Sequence, residues 1–272
     1  MRPISSLPDA LASWNEIESL ADGRKPAVFL DYDGTLTPIV ERPEDAHLPP
    51  EMREALERVS AVCPVAVVSG RDVSFIVEEV GLDDILYLGS HGFDIVTPQD
   101  MKLSTGREDE FARFLGSLDE VQAAVEEAVA KIDGAHVERK KYAVAVHYRQ
   151  VVEADVPAVA RIVDEQITKH PNLRKSGGKK VFELRPDIDW DKGWAVRWTL
   201  GALGLPTGET MPVYIGDDLT DEDAFTELAK DGLTIVVGSD SRETAAAYRV
   251  PVVNDVRDVL LHLAEMAEGV EA

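Results

Sequence analysis

Asp31 and Asp33, in the run Asp31-Tyr-Asp-Gly-Thr-Leu-Thr-Pro38, are two carboxylates placed where an apolar stretch ends. The preceding Ala27-Val-Phe-Leu30 is short and apolar, as in a strand covered on both faces. Ligands of open parallel sheets bind beyond the carboxyl ends of the strands. An aspartate at that edge can attack phosphorus as a covalent nucleophile, and a second one two residues on can carry the proton. Gly34 lets the backbone turn just after them. The competing reading is a strand followed by a polar Asp-Gly turn with no chemistry attached.

Two further motifs favour chemistry. Ser69 directly follows Val65-Ala-Val-Val68, and Gly216-Asp-Asp218 directly follows Val213-Tyr-Ile215. Parallel strands would bring all three motifs to one sheet edge. A phosphate monoester is a dianion and repels a carboxylate nucleophile, so a hard cation with oxygen ligands is needed between them. Asp31 and Asp217 can supply carboxylates and Asp33 its backbone carbonyl. Mg2+ suits so sparse a set because it keeps several waters. Ser69, the Gly70 amide and Lys192 can bind the remaining phosphoryl oxygens and the charge that develops on them. Lys192 sits at the start of a helix, where the dipole gives a cation no reason to be. Asp218 can orient Lys192 or a metal-bound water. Asp221, Glu222 and Asp223 are expected to support the first turn of a helix.

The elements that must carry these motifs alternate. A helix is expected from Pro49-Pro50, with Met52, Leu56 and Val59 on one face, then the strand Val65–Val68, a helix through Phe75, Ile76 and Val80, and a strand Ile85–Leu88. The tail resumes with a helix Trp194–Leu203 and strands Val213–Ile215, Thr234–Val237 and Val250–Val253. The fold class is α/β: a Rossmann-like parallel-sheet core, residues 1–98 and 187–272, with an inserted α+β cap over 99–186. Within the insertion, helices are expected at Val121–Ile132 and Pro157–Ile167. An alternating stretch runs from His136 to Arg149, and a half-buried strand from Lys179 to Arg185.

The net charge of −23 argues against nucleic acid or an anionic membrane as partner. The excess lies wholly outside the insertion, because residues 99–186 hold 15 basic and 15 acidic side chains. Residues 137–185 carry 11 basic against 6 acidic, which fits either a unit facing an anion or a solvated basic face. Cys63 is the single cysteine, so no intrachain disulfide is possible. No apolar run approaches the roughly 20 residues of a membrane helix, and the first residues lack a secretory core. A cytoplasmic monomer acting on a small molecule is expected.

Asp31-x-Asp-Gly-Thr35, Ser69, Lys192 and Gly216-Asp-Asp218 resemble the four motifs of the haloacid dehalogenase-like hydrolase superfamily. A second acid at Asp33 resembles its phosphatases and phosphomutases. An insertion after the third strand resembles the subgroup with a type-two α/β cap. Ser69-Gly-Arg71, Gly89-Ser-His-Gly92, His147-Tyr-Arg149, Glu183-Leu-Arg-Pro186, Asp191-Lys-Gly193 and Gly216-Asp-Asp-Leu-Thr-Asp-Glu-Asp223 together resemble the trehalose-6-phosphate phosphatase family, from about Val28 to Leu228.

That resemblance implies phosphorylation of Asp31, with Asp33 protonating the leaving sugar and then deprotonating water. It implies Mg2+ at Asp31, Asp33 and Asp217, and a core substrate site including Thr35, Gly70, Arg71 and His91. It further implies that the cap holds the disaccharide through Glu138, Lys140, Arg149, Lys179 and Glu183, and leaves room for a functional link to a trehalose-phosphate synthase. Carboxylates accept from sugar hydroxyls, and long cations donate to them and to phosphate. Lys179 and Glu183 would lie ~13 Å apart on one strand face. Arg149 has odd parity relative to Lys140, so a turn or bulge near Lys140-Lys141 is required. Arg71 either contacts substrate or pairs with a core carboxylate. Asp94 stands where relatives tend to carry glutamate.

Three other readings remain open: a phosphatase for sucrose phosphate or mannosyl phosphoglycerate, a phosphomannomutase-like transferase, and a non-catalytic sugar-phosphate sensor. His91, His136 and His147 lack the spacing of a transition-metal site.

Overall fold

The computed structural model describes residues 1–98, 101, 103, 105–178 and 180–270. The chain divides into two compact units, Met1–Lys102 with Trp190–Ala272, and Leu103–Asp189.

The first unit opens with β1 (Arg2–Pro3), α1 (Trp14–Ala21), β2 (Lys25–Leu30), α2 (Pro50–Ser60), β3 (Val65–Val68), α3 (Val73–Val80), β4 (Leu86–Gly89) and β5 (Asp94–Val96). The second unit contributes α4 (Glu108–Ala112), α5 (Leu115–Val129), β6 (His136–Lys140), β7 (Ala143–His147), α6 (Val156–Lys169), β8 (Leu173–Gly178) and β9 (Val181–Pro186). The first unit resumes with α7 (Lys192–Ala202), β10 (Thr210–Gly216), α8 (Glu222–Leu228), β11 (Leu233–Val237), β12 (Glu243–Thr244), β13 (Tyr248–Val250) and α9 (Val253–Val270).

Seven strands of the first unit form one sheet in the order β13-β11-β10-β2-β3-β4-β5, parallel throughout except for the β4/β5 edge. The central strands are buried along their whole length, as helices on both faces require. On one face Val28, Leu30, Val67 and Ile215 pack with Leu56 and Val59 of α2 and with Val259, Leu260 and Leu263 of α9. On the other, Tyr214 meets Phe225 of α8 edge-on at 5.8 Å. Pro50 opens α2, where its missing N–H costs nothing.

Sequence order runs outward from β2 through β3 to β4, then returns to the other side of β2 as β10 and β11. The order therefore reverses between β2 and β10, the place where open α/β sheets leave a crevice. Leu30 and Ile215 are register partners there, so Asp31 and Gly216 leave the sheet side by side.

The second unit has an antiparallel sheet ordered β6-β7-β9-β8. One face packs on α5 and α6 through Val121, Val125, Val144, Val146, Val159, Val163 and Leu184. The opposite face carries Glu138, Ala145 and Glu183 in register across three strands. Lys141-Tyr142 form the turn between β6 and β7 that the Lys140/Arg149 parity requires.

Three expected elements differ. Helix α5 runs Leu115–Val129 where a helix over Val121–Ile132 was expected. Residues 250–253 are not one strand: β13 ends at Val250, and α9 starts at Val253, just past Pro251. The strand expected over Lys179–Arg185 is Val181–Pro186, paired with β8 across a turn at Lys180, whose φ is +69°. Lys179 lies outside the described residues.

Candidate active site

Asp31 and Asp217 meet at the β2/β10 crevice. The Asp31 amide donates to the Ile215 carbonyl at 2.9 Å, which fixes where β2 ends. Gly34 then turns the chain at φ +82°, and a Cβ there would collide with the Asp217 carboxylate. Only glycine permits both the turn and the approach. Asp31, Asp217 and Asp221 are buried, with one carboxylate oxygen of each within 4.8 Å of the others.

Lys192 stands among them. Its Nζ donates to Asp31 Oδ1 and to Asp221 Oδ1, both at 2.7 Å. The lysine is carried there by the first turn of α7, whose N-cap Asp191 accepts from the Trp194 amide at 2.8 Å. Burial opposes the Lys192 charge, but Asp221 and Asp31 more than offset it and hold the ammonium above the usual lysine range. Burial pushes Asp31 upward, aided by Asp221 and Asp217, while Lys192 pulls it down. Three buried carboxylates gather around one ammonium, a donor set suited to a divalent cation.

The Asp221 carboxylate is taken up by its own hydrogen bonds. Its Oδ1 accepts from Lys192 and from the Tyr214 hydroxyl at 2.7 Å, and its Oδ2 from the Asp217 and Asp218 amides at 3.0 and 2.9 Å. Burial pushes the Asp221 pKa up, but Lys192, the Asp218 amide and the Tyr214 hydroxyl outweigh it and hold it below the ordinary aspartate value. Four donors occupy the carboxylate, so of the three acids Asp31 and Asp217 are the ones whose carboxylates could face a cation. Of the two roles expected of Asp218, orienting Lys192 or a metal-bound water, the contact with Lys192 is made by Asp221. Asp218 instead caps the short turn Leu219–Asp221 by accepting from the Leu219 amide at 2.7 Å.

The Asp33 carboxylate is gripped by Arg71, Nε to Oδ2 and Nη2 to Oδ1, each at 2.6 Å. Arg71 also donates to the Pro43 carbonyl at 2.6 Å and lies over the Phe75 ring at 4.2 Å. Of the two expectations for Arg71, pairing with a core carboxylate is the one found.

Ser69 and Gly70 follow β3. The Arg71 amide donates to Ser69 Oγ at 3.2 Å, and the amides of His91 and Ser90 donate to the Ser69 and Arg71 carbonyls at 2.7 Å. Ser90 and His91 adopt φ +50° and +60° to make those bonds. Left-handed backbone at non-glycine residues costs roughly 1–3 kcal/mol each and concentrates at functional sites. The hydroxyls of Thr35 and Ser90 are buried with no hydrogen-bond partner among the described residues, a cost of about 1–3 kcal/mol each unless a ligand engages them. Asp94 begins β5, opposite Gly89.

In the second unit, Lys140 Nζ donates to Glu183 Oε1 at 2.7 Å, with side chains only 10% and 8% exposed. Glu138 Oε2 lies 2.7 Å from His147 Nε2, and the His147 ring stacks on His136 at 6.0 Å. Ala143 and Ala145 on the intervening strand leave room for the Lys140–Glu183 contact to span β7. Arg149 is exposed in the turn after β7.

The sequence profile described as trehalose-phosphatase matches residues 29–254. The chain belongs to the trehalose-phosphatase family. A rice (Oryza sativa subsp. japonica) relative named probable trehalose-phosphate phosphatase 2 is 40% identical over 281 residues, covering 96% of this chain and 74% of that one. A Mycobacterium tuberculosis protein named an uncharacterized glycosyl hydrolase is 42% identical over 278 residues. That match covers 98% of this chain but only 20% of the other, so this chain spans a fifth of its length. The C-terminal domain of trehalose-6-phosphate phosphatase from C. albicans is similar in fold, with a TM-score of 0.80 at 24% identity, covering 96% of this chain and 99% of that one.

Within this trehalose-phosphatase-family chain, the sequence reading gave Asp221 only a supporting role in a helix's first turn and gave Ser90 no role of its own. Asp221 carried no local signal, because its role rests on contacts made only in the folded chain. Gly216 opens the motif, and a Cβ at that position would collide with the Asp221 carboxylate. Ser90 carried none, since a serine in a Gly-Ser-His-Gly turn is unremarkable without its backbone angles.

Proposed function

We propose that the chain hydrolyses trehalose 6-phosphate to trehalose and phosphate, with Mg2+, through a phosphoaspartate on Asp31. The observation that carries the chemistry is the buried Asp31–Lys192–Asp221 triad beside Asp217. Asp31 attacks phosphorus, and the bond from phosphorus to the sugar oxygen breaks as Asp33 gives that oxygen a proton. Asp33 then takes a proton from water, whose oxygen attacks phosphorus and displaces the Asp31 carboxylate, restoring both aspartates. For this Asp33 must exchange the Arg71 fork for the reacting oxygens. Lys192, the Gly70 amide and the hydroxyls of Ser69 and Thr35 hold the phosphoryl oxygens as charge builds on them. The carboxylates of Asp31 and Asp217 and the Asp33 carbonyl would hold Mg2+, which when bound offsets the charge of the incoming dianion.

The second unit reads the sugar. Glu138, Lys140 and Glu183 line one sheet face with small alanines between them, and carboxylates beside ammonium groups complement a polyol. Arg149, Lys179 and His91 complete the proposed contacts. No helix among the described residues is long and apolar enough to cross a membrane. A cytoplasmic monomer, functionally linked to a trehalose-phosphate synthase, completes the proposal.

The test is phosphate release from a panel of sugar phosphates, with Mg2+ and with chelator. Release from trehalose 6-phosphate alone, abolished by chelator and by Asp31→Asn, is expected. Preference for sucrose phosphate or mannosyl phosphoglycerate would overturn the sugar assignment. Phosphoryl transfer back to sugar with little free phosphate would overturn hydrolysis. Full activity of Asp31→Asn would overturn covalent catalysis.

A further inference from the structure

Arg242 occupies a polar loop that the proposed chemistry does not use, yet it reaches the metal-binding segment. Its Nη2 donates to the Asp217 carbonyl oxygen at 2.6 Å, and its Nη1 lies 3.8 Å from Asp218 Oδ1. A crossing in the opposite sense lies nearby. Glu222, at the start of α8, accepts the Ala245 amide on Oε2 at 2.7 Å, while its Oε1 is buried with no hydrogen-bond partner among the described residues. The segments 217–222 and 242–245 thus hold each other through one cation and one carboxylate, each bonded to the other segment's backbone.

The loop presenting Arg242 is itself anchored. β12 pairs with β1, the Ile4 amide donates to the Arg242 carbonyl at 2.9 Å, and the Ser5 amide donates to the Asp240 carbonyl at 2.9 Å. Arg242 also has its own amide tied to Asp240 Oδ1 at 2.9 Å. A guanidinium on so braced a loop is a fixed point against which the Asp217 backbone can be set.

We propose that Arg242 is a positioning residue for the metal site: by holding the Asp217 carbonyl it fixes the direction of the Asp217 carboxylate toward Asp31. This rests on the reading that Asp31 and Asp217 hold a divalent cation. Two effects of Arg242 oppose each other there. As a nearby positive charge it repels a cation; as a clamp it pre-organises a ligand. Their signs differ, so removing the guanidinium discriminates between them. Partners that orient metal ligands typically contribute about 10- to 100-fold in metal affinity.

The experiment titrates Mg2+ into the substrate-free protein, read by calorimetry and by the rise in Tm, for wild type, Arg242→Ala and Arg242→Lys. Arg242→Ala is expected to bind Mg2+ about 10- to 100-fold more weakly, with Arg242→Lys between it and wild type. Raising Mg2+ should restore kcat on an aryl phosphate while KM stays near wild type. Equal or tighter Mg2+ binding by a folded Arg242→Ala variant would overturn the proposal, leaving Arg242 a surface tie or a repelling charge. Should that variant not fold, Arg242→Gln, a donor of shorter reach, carries the same test. A wild type that binds no divalent cation would overturn the metal reading and this proposal together.

Discussion

Lys192 and Asp221 form an ion pair 2.7 Å long whose side chains are 2% and 0% exposed. Breaking one partner of such a pair strands the other charge, which costs about 3–5 kcal/mol. Asp221→Asn also turns an amide NH2 toward donors that need an acceptor, namely Lys192, Tyr214 and two backbone amides. Urea unfolding of Asp221→Asn is expected to show a loss of about that size, together with loss of turnover as Lys192 shifts on Asp31. A loss below ~1 kcal/mol with activity intact would mean that Lys192 is held without Asp221.

Arg71 and Asp33 should behave as one unit in a double-mutant cycle. Losing an acid–base group typically lowers kcat by about 10²- to 10⁴-fold, so Asp33→Asn is expected in that range. Arg71→Ala alone should lower kcat less, by removing the bidentate grip that sets the carboxylate's resting place. In the Asp33→Asn background the same change should add nothing, because neighbours in one network are not additive. Independent multiplication of the two losses would place Arg71 on the substrate instead.

The Lys140–Glu183 pair gives a way to separate recognition from stability. Lys140→Met alone takes the ammonium away from the buried Glu183 carboxylate, so both stability and trehalose 6-phosphate use should fall. Replacing both, Lys140→Met with Glu183→Leu, should return stability to within ~1 kcal/mol of wild type, as apolar replacements of buried pairs often do. KM for the sugar phosphate should stay high in the double variant while KM for a small aryl phosphate is unchanged. If both substrates suffer alike, the pair supports the fold and does not read the sugar.

Legibility in the sequence followed the range of the interactions. Val65–Val68 was read residue for residue because a buried central strand is a continuous apolar run bounded by polar residues. The placement of Asp31, Ser69 and Asp217 at one sheet edge was readable because parallel topology alone brings strand ends together, whereas Lys192 arrives on the first turn of a helix. By contrast, β8 contains Arg-Lys-Ser-Gly-Gly, which has no strand pattern of its own and depends on pairing with β9. α9 was hidden by Val250-Pro-Val-Val253, whose β-branched residues suggested a strand. The helical spacing of Val256, Val259, Leu260 and Leu263 lies beyond it. An acid in a helix's first turn looks the same whether it faces solvent or a buried lysine, which is why Asp221 was read as support. Arg242 depends on β1 pairing with β12, a contact between distant parts of the chain that local pattern does not reveal.

Away from the site, Asp231 offers a clean pH test. Arg197, on α7, forks onto it with Nη1–Oδ2 at 2.7 Å and Nη2–Oδ1 at 2.6 Å, and also reaches Glu227 at 2.9 Å. The Arg197 hydrogen bonds hold the Asp231 carboxyl below its ordinary value. A folded-state pKa below the unfolded one means that the contribution is fully present above the unfolded value near ~4 and is lost as pH falls through the folded one. The pair is a third exposed and screened by solvent, so its worth at neutral pH is about 0.2–1 kcal/mol. Asp231→Asn should therefore be less stable than wild type by about that amount at pH 7, and the two unfolding curves should converge as pH falls through the folded value. A difference that persists unchanged into acid would mean that Asp231 acts through packing or through its neutral hydrogen bonds, and that the Arg197 fork holds α7 without help from the charge.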